Sequence, residues 1–499
     1  MLDKSFYRLV PFQPVWEPFN SEAEAHCSAV FVDLGLECKG ATGSKNRLLA
    51  ASFLYAANSI RRKHPTDHDI GYDALPIYLG VSRKATAWSQ YPLVGKDLSL
   101  AFIDRLIAVN WIAKVEGSGD RGFVQDELTG KWTANPTMTM YHLEDSVVFD
   151  GVSGIEKFLE VGRPLLKVNG PEARAQREVR KAKKLAKPIM ASKDCKQKFR
   201  GEYIQAGKRV QALNEFWIKH PLALYNGNAA ACATRVFHDG RIDAGGRFYG
   251  SWTGLEGPLR LRSTIGEEQV CQIDIKGSQP TLLSALLGIK MNGVSGRGTW
   301  IDCYTQITGL WQHGGSSEDM LAAAKDPSLP DLFVRSRAIA KRVVMELIGT
   351  GNADKVEPSS ELIEEQNVTK AEWDFFKSRL IDAIPALTKL EPRYDASGQV
   401  SGYINGPGFL SYHESEMVLQ TIETLHGKGV PAYPMHDCLI IKECDAQIAI
   451  EAIRATICQY CYDLTGSKVL VPLTIENSDG MISHHDLNLH EDDIMGTYL

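Results

Sequence analysis

Two short apolar runs, each carrying one carboxylate, constrain this chain more than any other feature: Val270-Cys-Gln-Ile-Asp274 and Tyr433-Pro-Met-His-Asp437-Cys-Leu-Ile-Ile-Lys442. Apolar and β-branched residues at this density favour strands buried in a sheet. The first run delivers Asp274 at a strand end. In the second, His436-Asp437 falls between two β-prone segments and reads as the turn of a hairpin whose flanks anchor the Asp. Taken singly, an Asp at a strand end is more often a turn cap. Set on adjacent strands, the two carboxylates can hold two divalent ions and move a phosphoryl group.

The chain has 499 residues, 44% of them hydrophobic, enough to fill about two to four domain cores. A formal charge of −6 argues against a surface that coats nucleic acid everywhere, yet leaves room for a local basic channel. Ten cysteines without paired metal spacing read as reduced thiols. The N-terminus carries no signal-like apolar run, and no stretch approaches the length of about 18 apolar residues needed to span a bilayer. The expectation is a soluble cytoplasmic protein of a bacterium or a phage-infected host cell, with no membrane partner.

Along the chain, residues 1–150 form an N-terminal domain with helices expected near 45–63, 73–80 and 99–109. Trp111 to Val115 and the Gly117/Gly119 turn follow, an order that suggests a winged helix-turn-helix, the alternative being a small mixed domain that braces the rest. Residues 151–235 form a basic helical region. Between positions 174 and 200 it carries eleven Lys or Arg, among them Lys181, Lys183, Lys184 and Lys187, against Glu178 and Asp194. Such a run neutralises backbone phosphates, or else is a solvated helix and linker interrupted at Pro188. Gly245-Gly-Arg247-Phe-Tyr-Gly250 marks a close backbone approach just before Asp274. A helix beginning at Asp331 places Arg337 and Lys341 four residues apart on one face, where they can grip a triphosphate or stand as two exposed cations. The helix from Leu410 to Leu425 carries Glu414 near its start, and the His-rich C-terminal residues read as a polar tail.

In this order, Gly-Arg-Phe-Tyr-Gly at 246–250, Asp274 followed by Ser278-Gln279, Arg337-x3-Lys341-Arg342-Val-Val-Met345 and His436-Asp437 resemble the single-chain palm polymerases. These are the family A DNA polymerases and the phage and mitochondrial-type single-subunit RNA polymerases. The resemblance spans roughly 240 to 470 and implies an α+β right-hand architecture: an antiparallel palm sheet and helical fingers, preceded by a mainly helical N-terminal domain. It divides the chain into a thumb-like or linker region over 151–235, palm at 236–287, fingers at 288–400, and palm with the C-terminal tail at 401–499.

The same resemblance implies that Asp274 and Asp437 ligate two Mg²⁺ or Mn²⁺ ions. It places His436 near the primer end, Arg337 and Lys341 on the triphosphate with Lys341 a proton donor to pyrophosphate, and Arg247 on the template or primer backbone. The partners implied are a DNA template and primer, nucleoside triphosphates, and a replication partner met through the N-terminal domain. Two positions depart from the pattern: Gln279 stands where the DNA enzymes carry Glu and the RNA enzymes a small residue, and Gly349 stands where an aromatic contributes to sugar selection. The reading is a DNA polymerase of a phage, plasmid or mobile element that extends a primer with dNTPs. The alternatives are a single-subunit RNA polymerase or primase-like enzyme, a replication initiator with a degenerate palm, and an unrelated metal-dependent nuclease.

Overall fold

The structure is a computed structural model. It describes residues 8–19, 21–36, 39–61, 77–82, 94, 96–115, 123–125, 132–134, 138–144, 158–171, 187–225, 228–275, 277–289, 291, 304, 330–390, 392–394, 400–403, 407–466, 468–469 and 471–485. It is a mixed α+β molecule of two compact units, one formed by residues 1–235 with 249–267, the other by 236–248 with 268–499.

The first unit opens with a four-stranded sheet in the order Arg8–Pro11, Ile77–Ser82, Met138–Leu143, Ile112–Lys114. Its helices are Ser21–Asp33, Gly40–Arg61 and Lys96–Ala108. Of the second expected N-terminal helix, at 73–80, residues 73–76 lie outside the described residues, and the rest belongs to a strand, Ile77–Ser82, paired in parallel with Arg8–Pro11 and antiparallel with Met138–Leu143. Ile, Tyr and Val in that stretch favour the pleated conformation once partners from distant parts of the chain supply hydrogen bonds. In its described residues the N-terminal region thus joins these helices to a sheet. Phe53 anchors its core, stacked on Trp111 at 5.9 Å and edge-on to Phe102 at 6.3 Å.

Further along this unit, Ser192–Lys219 is a long helix broken at Arg200, whose φ of 42° and ψ of −113° are non-helical. It buries Cys195, Tyr203, Val210, Leu213 and Trp217 and exposes Lys193, Lys196, Lys198 and Arg200. Trp217 meets Trp252 edge-on at 5.7 Å, both fully buried. Gly250 is required there, because a Cβ would lie 2.1 Å from the Trp252 ring.

The second unit is built on an antiparallel sheet in the order Ala432–Met435, Cys438–Lys442, Glu268–Ile275, Leu473–Glu476, Ile482–His485. Val270, Cys271 and Ile273 of its central strand are almost wholly inaccessible, which explains the continuous apolar run in the sequence. Three helices, Ser278–Leu287, Pro407–Gly427 and Ala446–Thr465, pack against one another, and the last also lies on the central strand. A separate helical group combines Pro330–Thr350 with Ser360–Gln366 and Lys370–Ala383. In the first of these, Ile339, Ala340, Val343, Val344, Leu347 and Ile348 are buried at helical spacing, leaving Lys341 on the exposed face. Thr369 and Glu372 close a capping box at the start of the third.

Candidate functional site

The central strand and the hairpin bring the two sequence-predicted carboxylates to neighbouring positions. Asp274 is the register partner of Cys438, the residue that follows Asp437. Met435 pairs with Cys438 across the hairpin, so His436 and Asp437 alone form its turn. His436 adopts a φ of 58°, an uncommon conformation for a side chain larger than Gly that two-residue hairpin turns demand. The fully buried Tyr433, Ile440 and Ile441 fix the hairpin from behind, so the half-buried turn is held by its apolar flanks.

The electrostatics of the acid pair follow from this crowding. The Asp274 side chain opens to solvent on one side while protein walls it on the others, and its pKa rises to about 7. Burial is the main cause, the neighbouring Asp437 the next, and Glu414 adds a smaller push. The backbone N–H of Ile275 and the ammonium of Lys341 pull in the opposite direction. Lys341 on the Pro330–Thr350 helix is thus close enough to act on the Asp274 carboxylate. Ser278, at the first turn of the helix that follows the central strand, donates its hydroxyl to Asp437 Oδ2 at 2.5 Å.

Glu414 is 1% exposed and accepts two hydrogen bonds from Arg247, Nε to Oε1 at 3.0 Å and Nη2 to Oε2 at 2.9 Å. Burial nevertheless drives its pKa up to about 7, against the pull of Arg247 and with a further push from Asp437. Glu414 and Ser278 were not among the candidate site residues drawn from sequence. A carboxylate on an otherwise apolar helix face, four residues from a buried Val418, was the signal that could have exposed Glu414.

Among the described residues no group of three or more His, Cys, Asp or Glu is arranged to hold a metal. The two carboxylates still suit Mg²⁺ or Mn²⁺, because such ions prefer hard oxygen ligands and Mg²⁺ commonly takes only one or two carboxylates, filling its remaining positions with water and substrate phosphates.

The remaining candidates are distributed as follows. Arg337 lies one turn before Lys341 on the same helix, and its side chain is outside the described residues. Gly349 is exposed on that helix, with nothing within 4 Å of where a Cβ would sit. Gln279 is half-buried in the first turn of Ser278–Leu287, and His436 is half-buried at the hairpin turn. Gly245 and Gly246 have φ of 82° and 88°, and a Cβ on Gly245 would lie 2.4 Å from the His238 ring. The close approach inferred from these glycines is therefore made to a neighbouring side chain. Lys181, Lys183 and Lys184 lie outside the described residues, while Lys187 is exposed and, after burial itself, helps lower the pKa of Lys167. No helix among the described residues is long and apolar enough to cross a membrane.

No known protein family matches the sequence, and no curated protein matches it. Among solved structures, the chain has a distant, partial likeness to the POL domain of Pol1 from M. smegmatis in complex with DNA primer-template and dNTP, at 11% identity and a TM-score of 0.29. The match covers 54% of this chain and 52% of that one, so the chain spans about half the length of the protein it is matched to.

Proposed function

We propose that the second unit is a nucleic acid polymerase that joins nucleotides by two-metal phosphoryl transfer, with Asp274 and Asp437 as the metal ligands. One observation carries this reading: a strand-borne carboxylate, Asp274, lies beside the hairpin turn that carries Asp437, whose charge acts on it together with that of the helix-borne Lys341. A scaffold has no physical need to concentrate like charge in this way, whereas a site for divalent cations does.

The bound ions would activate a 3′-hydroxyl and hold the triphosphate, which is the chemistry two-metal sites supply. Asp274 and Asp437 orient them from a rigid sheet, and the Ser278 hydroxyl fixes the rotamer of Asp437. Lys341, with Arg337 one turn away, offsets charge accumulating on departing pyrophosphate. Gly349 leaves the sugar side of the pocket without the aromatic expected there, and Gln279 offers a neutral amide in place of a carboxylate. The basic segment around Lys181, Lys183, Lys184 and Lys187 tracks the nucleic acid backbone. The N-terminal region recruits template or a replication partner.

Deoxynucleotides are the favoured substrate, because Leu439-Ile-Ile-Lys442 resembles the DNA enzymes, although Arg342 to Met345 resembles the RNA enzymes. Primer extension with dNTPs and NTPs offered separately tests both levels at once. Growth of a labelled primer that stops in Asp437→Asn supports the polymerase, and the nucleotide set that is incorporated assigns the sugar. Shortening of the primer would make the site a nuclease instead, and binding without any change of length would favour the initiator reading.

A further inference from the structure

The residue beside the acid pair that neither carboxylate accounts for is Glu414. It is 1% exposed, both its oxygens are taken up by Arg247, and it lies close enough to Asp437 for each to feel the other's charge. Arg247 is a strong cation, effectively always protonated, and is the more exposed member of the pair. Nothing in the packing requires a carboxylate here, since a buried ion pair costs desolvation that an apolar pair of similar volume avoids. What the pair does achieve is to fix where the guanidinium points. The charge of Asp437 reaches Glu414, so a guanidinium released from Glu414 has that carboxylate within electrostatic reach, and a bidentate Arg–carboxylate contact there would occupy the oxygens that a cation needs.

We infer that Glu414 is a positioning residue that holds Arg247 away from Asp437 and so keeps the Asp274–Asp437 pair open to divalent cations. The inference rests on the reading of those two residues as metal ligands, and it assigns Arg247 a charge that must be restrained rather than one presented to nucleic acid. The Gly245–Tyr249 strand that carries Arg247 and the Pro407–Gly427 helix that carries Glu414 are both anchored locally. Ser415 donates to the carbonyl of Gly245 at 3.3 Å, and a Cβ on Gly408 would already press on Ala244 at 3.3 Å. The pair is therefore held at both ends by backbone and not by its own attraction alone.

The test is direct Mn²⁺ binding to the full chain, read by the loss of the free-ion electron paramagnetic resonance signal in the absence of nucleotide and nucleic acid. Wild type is expected to bind and Asp437→Asn to lose that binding, and this control decides the underlying metal-ligand reading by itself. With it in place, Glu414→Gln is expected to weaken Mn²⁺ binding by about tenfold or more, the scale on which residues behind metal ligands act. The double variant Glu414→Gln/Arg247→Met is expected to recover it, because the displaced cation is gone. Arg247→Met alone is expected to bind at least as tightly as wild type. Wild-type affinity in Glu414→Gln, a double variant as weak as the single one, or weakened binding in Arg247→Met would each overturn the inference. The last of these measurements stands even where Glu414→Gln does not fold.

Discussion

At the scale of single residues, charge and burial at the acid pair make opposing demands, and pH exposes them. Asp274 has a folded-state pKa of about 7, above its ordinary value, so the folded protein holds a proton that the unfolded chain has already released. Stability from this group is then fully present at acid pH and is lost as pH rises toward 7 and beyond. Asp274→Asn, which cannot ionise, is expected to be more stable than wild type at pH 8 without divalent ions and equal to it near pH 4. The gain should be about 1–2 kcal/mol, after discounting for the open solvent face of the carboxylate. Thermal melts at the two pH values check this, and added Mg²⁺ should erase the advantage at pH 8 by stabilising wild type only. His413 works in the other direction. Its ring is half-buried, hydrogen-bonded to the Tyr460 hydroxyl at 2.8 Å, and desolvation lowers its pKa to about 4. It therefore costs stability as pH falls below its ordinary range, where the unfolded chain takes up a proton that the folded one refuses.

Asp274 and Asp437 were legible in the sequence because each interrupts an apolar run, a pattern that burial of the flanks explains without remainder. Glu414 was not, because a helix such as Pro407–Gly427 tolerates surface carboxylates anywhere, and only its pairing with a residue far away in sequence marks this one as buried. Arg247 shows the same limit in reverse. The glycine-flanked arginine is conspicuous, yet whether it meets phosphate or carboxylate is decided by the helix it packs against.

At the scale of elements, the strand-turn-strand at 432–442 and the Pro330–Thr350 helix emerge as the sequence implies, because their periodicity is unbroken. The described part of the stretch expected as a helix at 73–80 is strand for a physical reason: the hydrogen bonds of Ile77–Ser82 are supplied by Arg8–Pro11 and Met138–Leu143, partners that no local pattern can announce. Within the Pro330–Thr350 helix, Gly349 carries a helix-propensity cost without any steric requirement, since a Cβ there would meet nothing. Gly349→Ala is expected to stabilise the protein by about 0.5–1 kcal/mol, measured by urea unfolding. If the missing aromatic leaves sugar selection loose, Gly349→Tyr should sharpen discrimination between dNTP and NTP in primer extension while leaving that stability gain in place. Ser278→Ala removes the hydroxyl held by Asp437 and is expected to lower extension by about tenfold, the loss of one charge-assisted hydrogen bond, with little change in the melting temperature.

At the scale of the whole molecule, each compact unit is built from two separate stretches of chain. Residues 249–267 return to the first unit between two segments of the second, so the stretch before Asp274 belongs to one compact body and Asp274 to the other. Contiguity in sequence hides this, because the excursion is secured by the buried Trp252 packing on Trp217. The first unit also carries the exposed cations of the Ser192–Lys219 helix, so its contribution to nucleic acid binding can be separated from that of the acid pair. Each phosphate neutralised contributes about 0.7–0.9 to the slope of log affinity against log salt. Neutralising Lys181, Lys183 and Lys184 to Gln is expected to reduce that slope by about two to three while leaving Mn²⁺ binding intact, and Asp437→Asn is expected to do the converse. Fluorescence anisotropy of a labelled primer-template across a salt series measures the slope. An unchanged slope in the triple variant would place the phosphate contacts elsewhere, and the exposed Lys193, Lys196 and Arg200 would then be the next residues to neutralise.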